Sequence, residues 1–360
     1  MRLEARTQVG AGLLLGAGLG SFAAVLAIAA LLVAAAGAPV AQTFELLLQG
    51  AFGSVFAWSE TLTRSIPLML TGLAATVAFK ARLFNIGAEG QLYGGALAAV
   101  AVGGLHGGVG LATPGPLLFA AMMLAAALAG ALLLLGPAWM KMRFGVDEVV
   151  STLLLNFIVL LGVGAMLDGP MKDPMAMGWP QSVALQDGLE LSKLIARTRL
   201  HTGLVWSVTA ALALWIMLRF TTLGFDIRAL GANARAAAFA GVSVTRTMLL
   251  VALLSGGLAG LAGAIEVAGR TGYVTLDMSP GYGYSGIVIA MLAGLNPLAV
   301  VGSSVLVAGV LVGADSMSRQ IGVPSYLADV VVAAVLLVVL VAAMLTRYRL
   351  RFDLRAGASA

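Results

Sequence analysis

The sequence predicts an all-α polytopic membrane protein, a single transmembrane domain over residues 1–360, and three observations carry that expectation. Hydrophobic residues make up 60% of the chain and charged residues only 10%, with a mean hydropathy of +1.01. The apolar residues come in repeated runs near the ~20 that a hydrocarbon core of ~30 Å requires, not in the short alternating segments of a barrel. The basic residues cluster in short loops beside those runs, so the net charge of +5 is a topology signal and not a nucleic-acid surface. The 46 glycines suit helices whose backbones approach closely. With no cysteine in the chain, disulfides, thiolate metal sites and cysteine nucleophiles are excluded.

The first apolar run, 12–37, is much longer than the ~7–15-residue core of a signal peptide, so it is expected to be a retained helix. Residues 42–60 are only mildly apolar and are expected on the outer surface. Further spans follow at 63–80, 86–105, 116–137, 148–167, 202–218, 247–268, 283–295, 297–315 and 326–346, which makes about ten. The span at 283–295 is short for a full crossing. Alternating loops place 14 of the 21 basic residues inside, which predicts that both termini are cytoplasmic. The same assignment makes 168–201 an external loop, expected to carry a short helix, and puts 219–246 in the cytoplasm.

A weak internal repeat is also visible. Phe144-Gly145-Val146-Asp147-Glu148 and Ile321-Gly322-Val323-Pro324-Ser325 each lead into an apolar run. Each follows a helix that begins near a proline (Pro116, Pro297) and carries a central Ala-Gly (Gly130, Gly309). Spans 2–5 therefore echo spans 7–10, and a shift of five spans inverts one half relative to the other. Inverted repeats with interrupted helices place a transport pathway near the midplane.

Two stretches stand out from this apolar background. Ala81–Gly95, ARLFNIGAEGQLYGG, sets Asn85, Glu89 and Gln91 among glycines at the start of a span. A carboxylate at that depth faces protein or water, and irregular backbone is tolerated only there. An anion at an ordinary cytoplasmic helix start is the plainer alternative. Arg219–Arg246 is basic and rich in Gly and Ala, and its middle, 229–241, is expected to be one short helix with a close-approach surface. His106 and His201 lack partners at metal-ligand spacing and are expected on the surface, while Glu266 and Asp315 are expected to reach water at the outer ends of spans.

FNIGAEGQ, FGVDEVVSTLLLNFI (144–158), TLGFDIRALGANARAAAFAGV (222–242) and IVIAMLAGLNPLAVV (287–301) occur in that order. Together they resemble the permease subunits of bacterial ABC importers of the branched-chain amino acid and simple-sugar superfamily, most of all the nucleoside permeases. The resemblance covers roughly 60–345. It implies a multi-pass protein of the bacterial inner membrane with no catalytic residues, metal or cofactor of its own. ATP and Mg would be bound by a cytoplasmic ATPase subunit, and a periplasmic or lipoprotein binding protein would deliver the solute. A second permease subunit, giving a heterodimer, would complete the pathway. The chain has no GxxxxGK[ST] phosphate loop, in keeping with that division of labour.

On this resemblance the 219–246 loop is the coupling segment, with Gly231, Asn233, Ala237 and Gly241 as ATPase contacts and Arg228 and Arg235 beside them. Phe84, Asn85, Glu89, Asn156 and Asn296 are candidate pathway residues, since amides both donate and accept toward ribose and base edges. Phe157, Tyr282 and Tyr284 are candidate stacking partners for a base. A ribose-like sugar permease and an ion-coupled secondary transporter are the alternatives; the latter needs paired intramembrane carboxylates or a histidine relay, which are sparse.

Overall fold

In the computed structural model the described residues are 39–104 and 115–321, with 2–5, 20, 23, 27, 30, 31, 33, 34, 37, 330, 333, 334, 337, 338, 341 and 348–351. The chain divides into two compact units, Trp58–Ala308 and the pair Met1–Ala57 with Gly309–Ala360. Its described elements are a short strand β1 (Arg2–Ala5) and helices α1 (Val40–Phe52), α2 (Val55–Lys80), α3 (Ala88–Gly103), α4 (Gly115–Phe144), α5 (Glu148–Asp168) and α6 (Gly203–Phe220). They continue with α7 (Thr222–Ala232), α8 (Ala234–Phe239), α9 (Val244–Glu266) running into a π-helical turn (Val267–Thr271), α10 (Tyr282–Leu292), α11 (Pro297–Ile321) and β2 (Tyr348–Arg351). β1 and β2 pair antiparallel.

Six of these segments are long and apolar enough to cross a membrane: Val55–Lys80, Gly115–Phe144, Glu148–Asp168, Gly203–Phe220, Val244–Thr271 and Pro297–Gln320. The expected spans at 12–37 and 326–346, His106 and the Gly322–Ser325 part of the repeat lie almost wholly outside the described residues. Two boundaries differ from expectation for local reasons. Residues 42–60 are mostly helical, so α2 starts eight residues before the apolar run does. There Ser59, Thr61, Thr63 and Ser65 are buried, and Thr63 Oγ1 donates back to Ser59 O and Ser65 Oγ to Leu62 O, both at 2.7 Å, which hides polarity that dilutes the hydropathy. In α4, Pro137 is buried inside the helix, which continues to Phe144.

Within the larger unit α3, α4 and α9 pack backbone to backbone. A Cβ on Gly130 would lie 2.2 Å from Gly256 O, one on Gly95 2.2 Å from Gly260 O, and one on Gly263 2.0 Å from Leu92 O. Gly256 and Gly260 form the small-xxx-small spacing that lets transmembrane helices touch through their main chains. In the smaller unit a Cβ on Gly313 would lie 2.4 Å from Leu47 O, so α1 packs equally closely on the second half of α11.

The helices are buried very unequally. The most apolar window of α2 is 83% buried, that of α5 only 17%. The 168–201 segment holds no helix, contrary to expectation; it is irregular chain pinned by isolated bridges such as Lys172–Ser182 and Lys193–His201. Val183, Leu185, Leu189, Leu191 and Leu200 are buried beneath it, so it is a folded cap, anchored by Leu185 N to Gly272 O and Leu191 N to Ala268 O, both 2.9 Å. Apolar burial without a period escapes a helix-or-loop reading of sequence.

Candidate functional site

The irregular segment between α2 and α3 is the structural centre of the site. α2 ends in a Schellman arrangement: Arg82 takes φ +56°, Leu83 N donates to Ala78 O at 2.9 Å and Arg82 N to Phe79 O at 3.1 Å. From there to Gly90 the main chain lacks a helical ladder, and a polar stripe on α5 takes its place. Glu148 accepts from Phe84 N at 3.2 Å, Thr152 Oγ1 from Ile86 N at 3.2 Å and Asn156 Oδ1 from Gly90 N at 2.7 Å. Asn156 Nδ2 also donates to Ile86 O at 2.8 Å. Lys141 pairs with Glu148 and donates to Arg82 O at 2.8 Å. The three α5 residues recur every fourth position, one face of a helix, and satisfy backbone that would otherwise be unpaired in a dry interior.

Asn85 is spent on the same task. Its amide exchanges two 2.9 Å bonds with Gln91 and donates to Ser255 Oγ at 3.1 Å, and Ser255 in turn donates to Ala74 O at 2.8 Å. Asn85 and Asn156 are thus buried, with their amides engaged in internal hydrogen bonds. Two of the supports, Glu148 and Thr152, were missed; the signal was a polar residue every four positions along an otherwise apolar helix.

Glu89 starts α3, but its carboxylate serves another helix. Oε2 accepts from Gly283 N at 2.6 Å, capping α10, whose own N-cap residue Gly281 has no side chain to do so. Thr71 Oγ1 donates to Tyr282 O at 2.9 Å, and a Cβ on Gly286 would lie 2.6 Å from Thr71 Oγ1. At about 1.5 Å per residue, the 11-residue α10 is roughly half a membrane long. Its N-terminus is therefore wedged between the middle of α2 and the start of α3. Tyr282 is buried there, where stacking on a solute is closed to it.

Around these supports three aromatic rings are exposed, Phe84, Phe157 and Tyr284 at 43%, 55% and 37%, alongside aliphatic α5 side chains such as Leu154 and Ile158. Tyr284 is tied to the supports through Asn156 Nδ2 at 3.3 Å. Asn296 lies past the opposite end of α10, exposed, its Oδ1 accepting from Leu298 N at 3.1 Å at the start of α11.

The candidates within 219–246 divide into two groups. The helix expected over 229–241 is broken at Asn233, whose Oδ1 accepts from Arg235 N at 3.0 Å and Ala236 N at 3.1 Å and so caps α8. Gly231 and Ala237 are turned toward their own chain: a Cβ on Gly231 would meet Lys80 O at 1.8 Å, and Ala237 is buried. Gly241, at φ +89° with open space around it, ends α8 in a second Schellman turn through Val242 N to Ala237 O at 3.0 Å. Arg228, Asn233 and Arg235 are exposed, and so is Phe239, at 97%, which composition alone did not single out.

Two further side chains depart from expectation. His201 is buried between Gly203 and Gly269, where Nδ1 accepts from Gly203 N at 3.2 Å; desolvation pushes its pKa down to about 4. Glu266 is buried rather than wet, and pairs with Arg270 at 2.6 Å across the start of the π-helical turn. Among the described residues no group of three or more His, Cys, Asp or Glu could hold a metal ion.

Residues 57–340 match the family described as branched-chain amino acid transport system / permease component. The guanosine ABC transporter permease protein NupP of Bacillus subtilis is 35% identical over 87% of this chain and 89% of its own length. The glucose ABC transporter permease protein TsgB13 of Haloferax volcanii is 33% identical over 99% of this chain and 95% of its own. The nucleoside ABC transporter permease protein NupB of Lactococcus lactis is 29% identical over 81% of each.

Proposed function

The chain belongs to the branched-chain amino acid transport system permease-component family, and on that premise we propose that it is the transmembrane subunit of an ATP-binding-cassette importer carrying a nucleoside across the bacterial inner membrane. It is a transport protein and not an enzyme. The observation that carries the substrate class is the 35% identity to a guanosine permease over nearly the whole chain. The exposed aromatics Phe84, Phe157 and Tyr284 add to it, because flat rings offer a base a stacking surface. Similarity to a glucose permease favours a simple sugar as the second reading.

In this reading about ten spans form two inverted repeats with both termini in the cytoplasm. The pathway runs along the exposed face of α5, closed on its other side by a second permease subunit, and Asn296 stands at its inner break. The α7–α8 arm is the coupling segment. Phe239, Arg228, Asn233 and Arg235 present the docking surface to a separate ATPase that binds ATP and Mg, while Gly231, Ala237 and Gly241 set the arm's shape. The capped outer loop 168–201 receives the solute-binding protein. ATP-driven closure of the ATPase would then rock the permease between outward and inward openings.

Uptake of labelled guanosine, ribose and glucose tests the substrate class, in cells lacking their own carriers and given this chain with its genomic partners. Guanosine accumulation, competed by other nucleosides and not by glucose, is expected. Accumulation of glucose or ribose alone would replace the nucleoside reading with the sugar one.

A further inference from the structure

The arm and the α10 N-terminus are joined by one short strap of chain. Gly231 sits so close to Lys80 that a Cβ would lie 1.8 Å from the carbonyl oxygen and 3.6 Å from Ala81 Cα. That is main chain bearing on main chain, a contact with no slack. Nine residues further on, Glu89 holds Gly283 N at 2.6 Å. Between the two points the strap is gripped by Lys141 at Arg82 O, Glu148 at Phe84 N, Thr152 at Ile86 N and Asn156 at Ile86 O and Gly90 N. Three of the four grips come from α5, the least buried of the membrane-length helices, at 17%, and therefore one with little packing to resist displacement.

We infer that residues 80–89 are the transmission element of the transporter, and that Glu89 is a positioning residue that re-aims α10 when the arm presses on Lys80. The inference rests on the arm meeting an ATPase, and adds the route by which that contact reaches the pathway. A strap held by side-chain bonds moves with the helices that grip it; α5 supplies most of those bonds, with Lys141 of α4 at Arg82 O and Asn85 tied to Ser255 of α9, whereas a continuous α2–α3 helix would be fixed by its own backbone ladder. The carboxylate of Glu89 then carries the shift across to Gly283, next to exposed Tyr284.

The chain has no cysteine, so a Tyr284→Cys reporter is its only thiol. In the assembled transporter, the rate at which a water-soluble thiol reagent labels this chain is followed with and without ATP and vanadate, alongside solute moved per ATP hydrolysed. Trapping is expected to change the labelling rate at least fivefold. Glu89→Ala is expected to abolish that change and cut solute per ATP at least tenfold. Glu89→Gln, which keeps an acceptor for Gly283 N, is expected to restore both to within threefold. A purely structural role would instead lower the amount of inserted protein and leave the ratio alone. Independently, the Gly231→Ala wedge is expected to shift nucleotide-free labelling at position 284 at least threefold, with Glu89 untouched. ATP-driven uptake with an unchanged ratio in Glu89→Ala, or no labelling response to either ATP or the wedge, would overturn the inference. Absence of ATP-driven uptake by the wild-type transporter would instead remove the reading beneath it.

Discussion

The glycine seam of α3, α4 and α9 and the α7–α8 arm are both built from small residues, yet they use smallness in different ways. In the seam, Gly95, Gly130, Gly256, Gly260 and Gly263 each lie where a Cβ would fall within 2.3 Å of a neighbouring carbonyl oxygen. The space a side chain would need is filled by another helix's backbone, and dispersion between close main chains holds the bundle where lipid supplies no hydrophobic drive. In the arm, Gly231 against Lys80 O and Gly224 against Met217 O are of that kind; Gly241 meets nothing within 4 Å and is glycine because its φ of +89° demands it. A run of Gly and Ala in sequence is therefore not one signal. Part of it packs inward, part shapes the turn, and the rest is exposed.

This contrast breaks most sharply at the seam. Gly260→Val would drive a branched side chain into Ala126 O, which a Cβ alone approaches to 2.2 Å. A cost of about 3 kcal/mol or more is expected, at the upper end of overpacking, seen as loss of monodisperse protein after detergent extraction. Normal yield and melting would mean the helices do not touch there.

Next in size is Asn156→Ala, which leaves Gly90 N–H and Ile86 O unpaired in a buried site. It is expected to cost about 2–6 kcal/mol, from the ~1–3 kcal/mol of each of the two abandoned groups. Asn296→Ala, which removes only a cap contact, is expected to cost about 1 kcal/mol. Thermal unfolding of the two variants orders them; equal melting would return Asn156 to the candidate solute contacts.

The 168–201 cap is expected to respond to pH through His201. Its folded pKa, about 4, lies below the ordinary 6.5, so in that window the unfolded state binds the extra proton. The stability contributed by the neutral imidazole is present above pH 6.5 and falls as pH drops toward 4. Protease cleavage within 168–201 is expected to quicken from pH 7 to pH 5 in wild type but not in His201→Leu. A pH-independent rate in wild type would show that the ring is not desolvated as described.

The smallest effect is at Gly241. Gly241→Ala is expected to cost about 1 kcal/mol from the left-handed backbone alone, with transport otherwise retained, whereas Gly231→Ala, which strikes Lys80 O, is expected to alter transport itself. Equal phenotypes would erase the distinction between packing and turn glycines in the arm.

Much of this fold was legible in the sequence, because membrane-length apolar runs announce themselves and the start of α5 follows Asp147, whose side chain caps Val149 N at 2.8 Å. The site was legible in location more than in role. FNIGAEGQ marked an irregular, polar entry to a helix, but whether Asn85 and Asn156 face a solute or a main chain depends on partners 66 to 170 residues away. Glu266 and His201 were misplaced because a polar group near a helix end is exposed or buried according to what packs on it: Arg270 pairs with Glu266, and Gly203 and Gly269 close on His201. The break at Asn233 had a readable local cause, an Asn able to cap the residues that follow it.

Reconstitution tests the whole account most directly. Proteoliposomes holding this chain, its partner permease and the ATPase, supplied with binding protein, are measured for guanosine uptake with ATP enclosed, in the presence of ionophores that collapse proton and sodium gradients. Uptake that needs hydrolysable ATP, ignores the ionophores and disappears when Phe239→Asp disrupts the exposed arm is the predicted result. Uptake without ATP that follows an imposed ion gradient would contradict it.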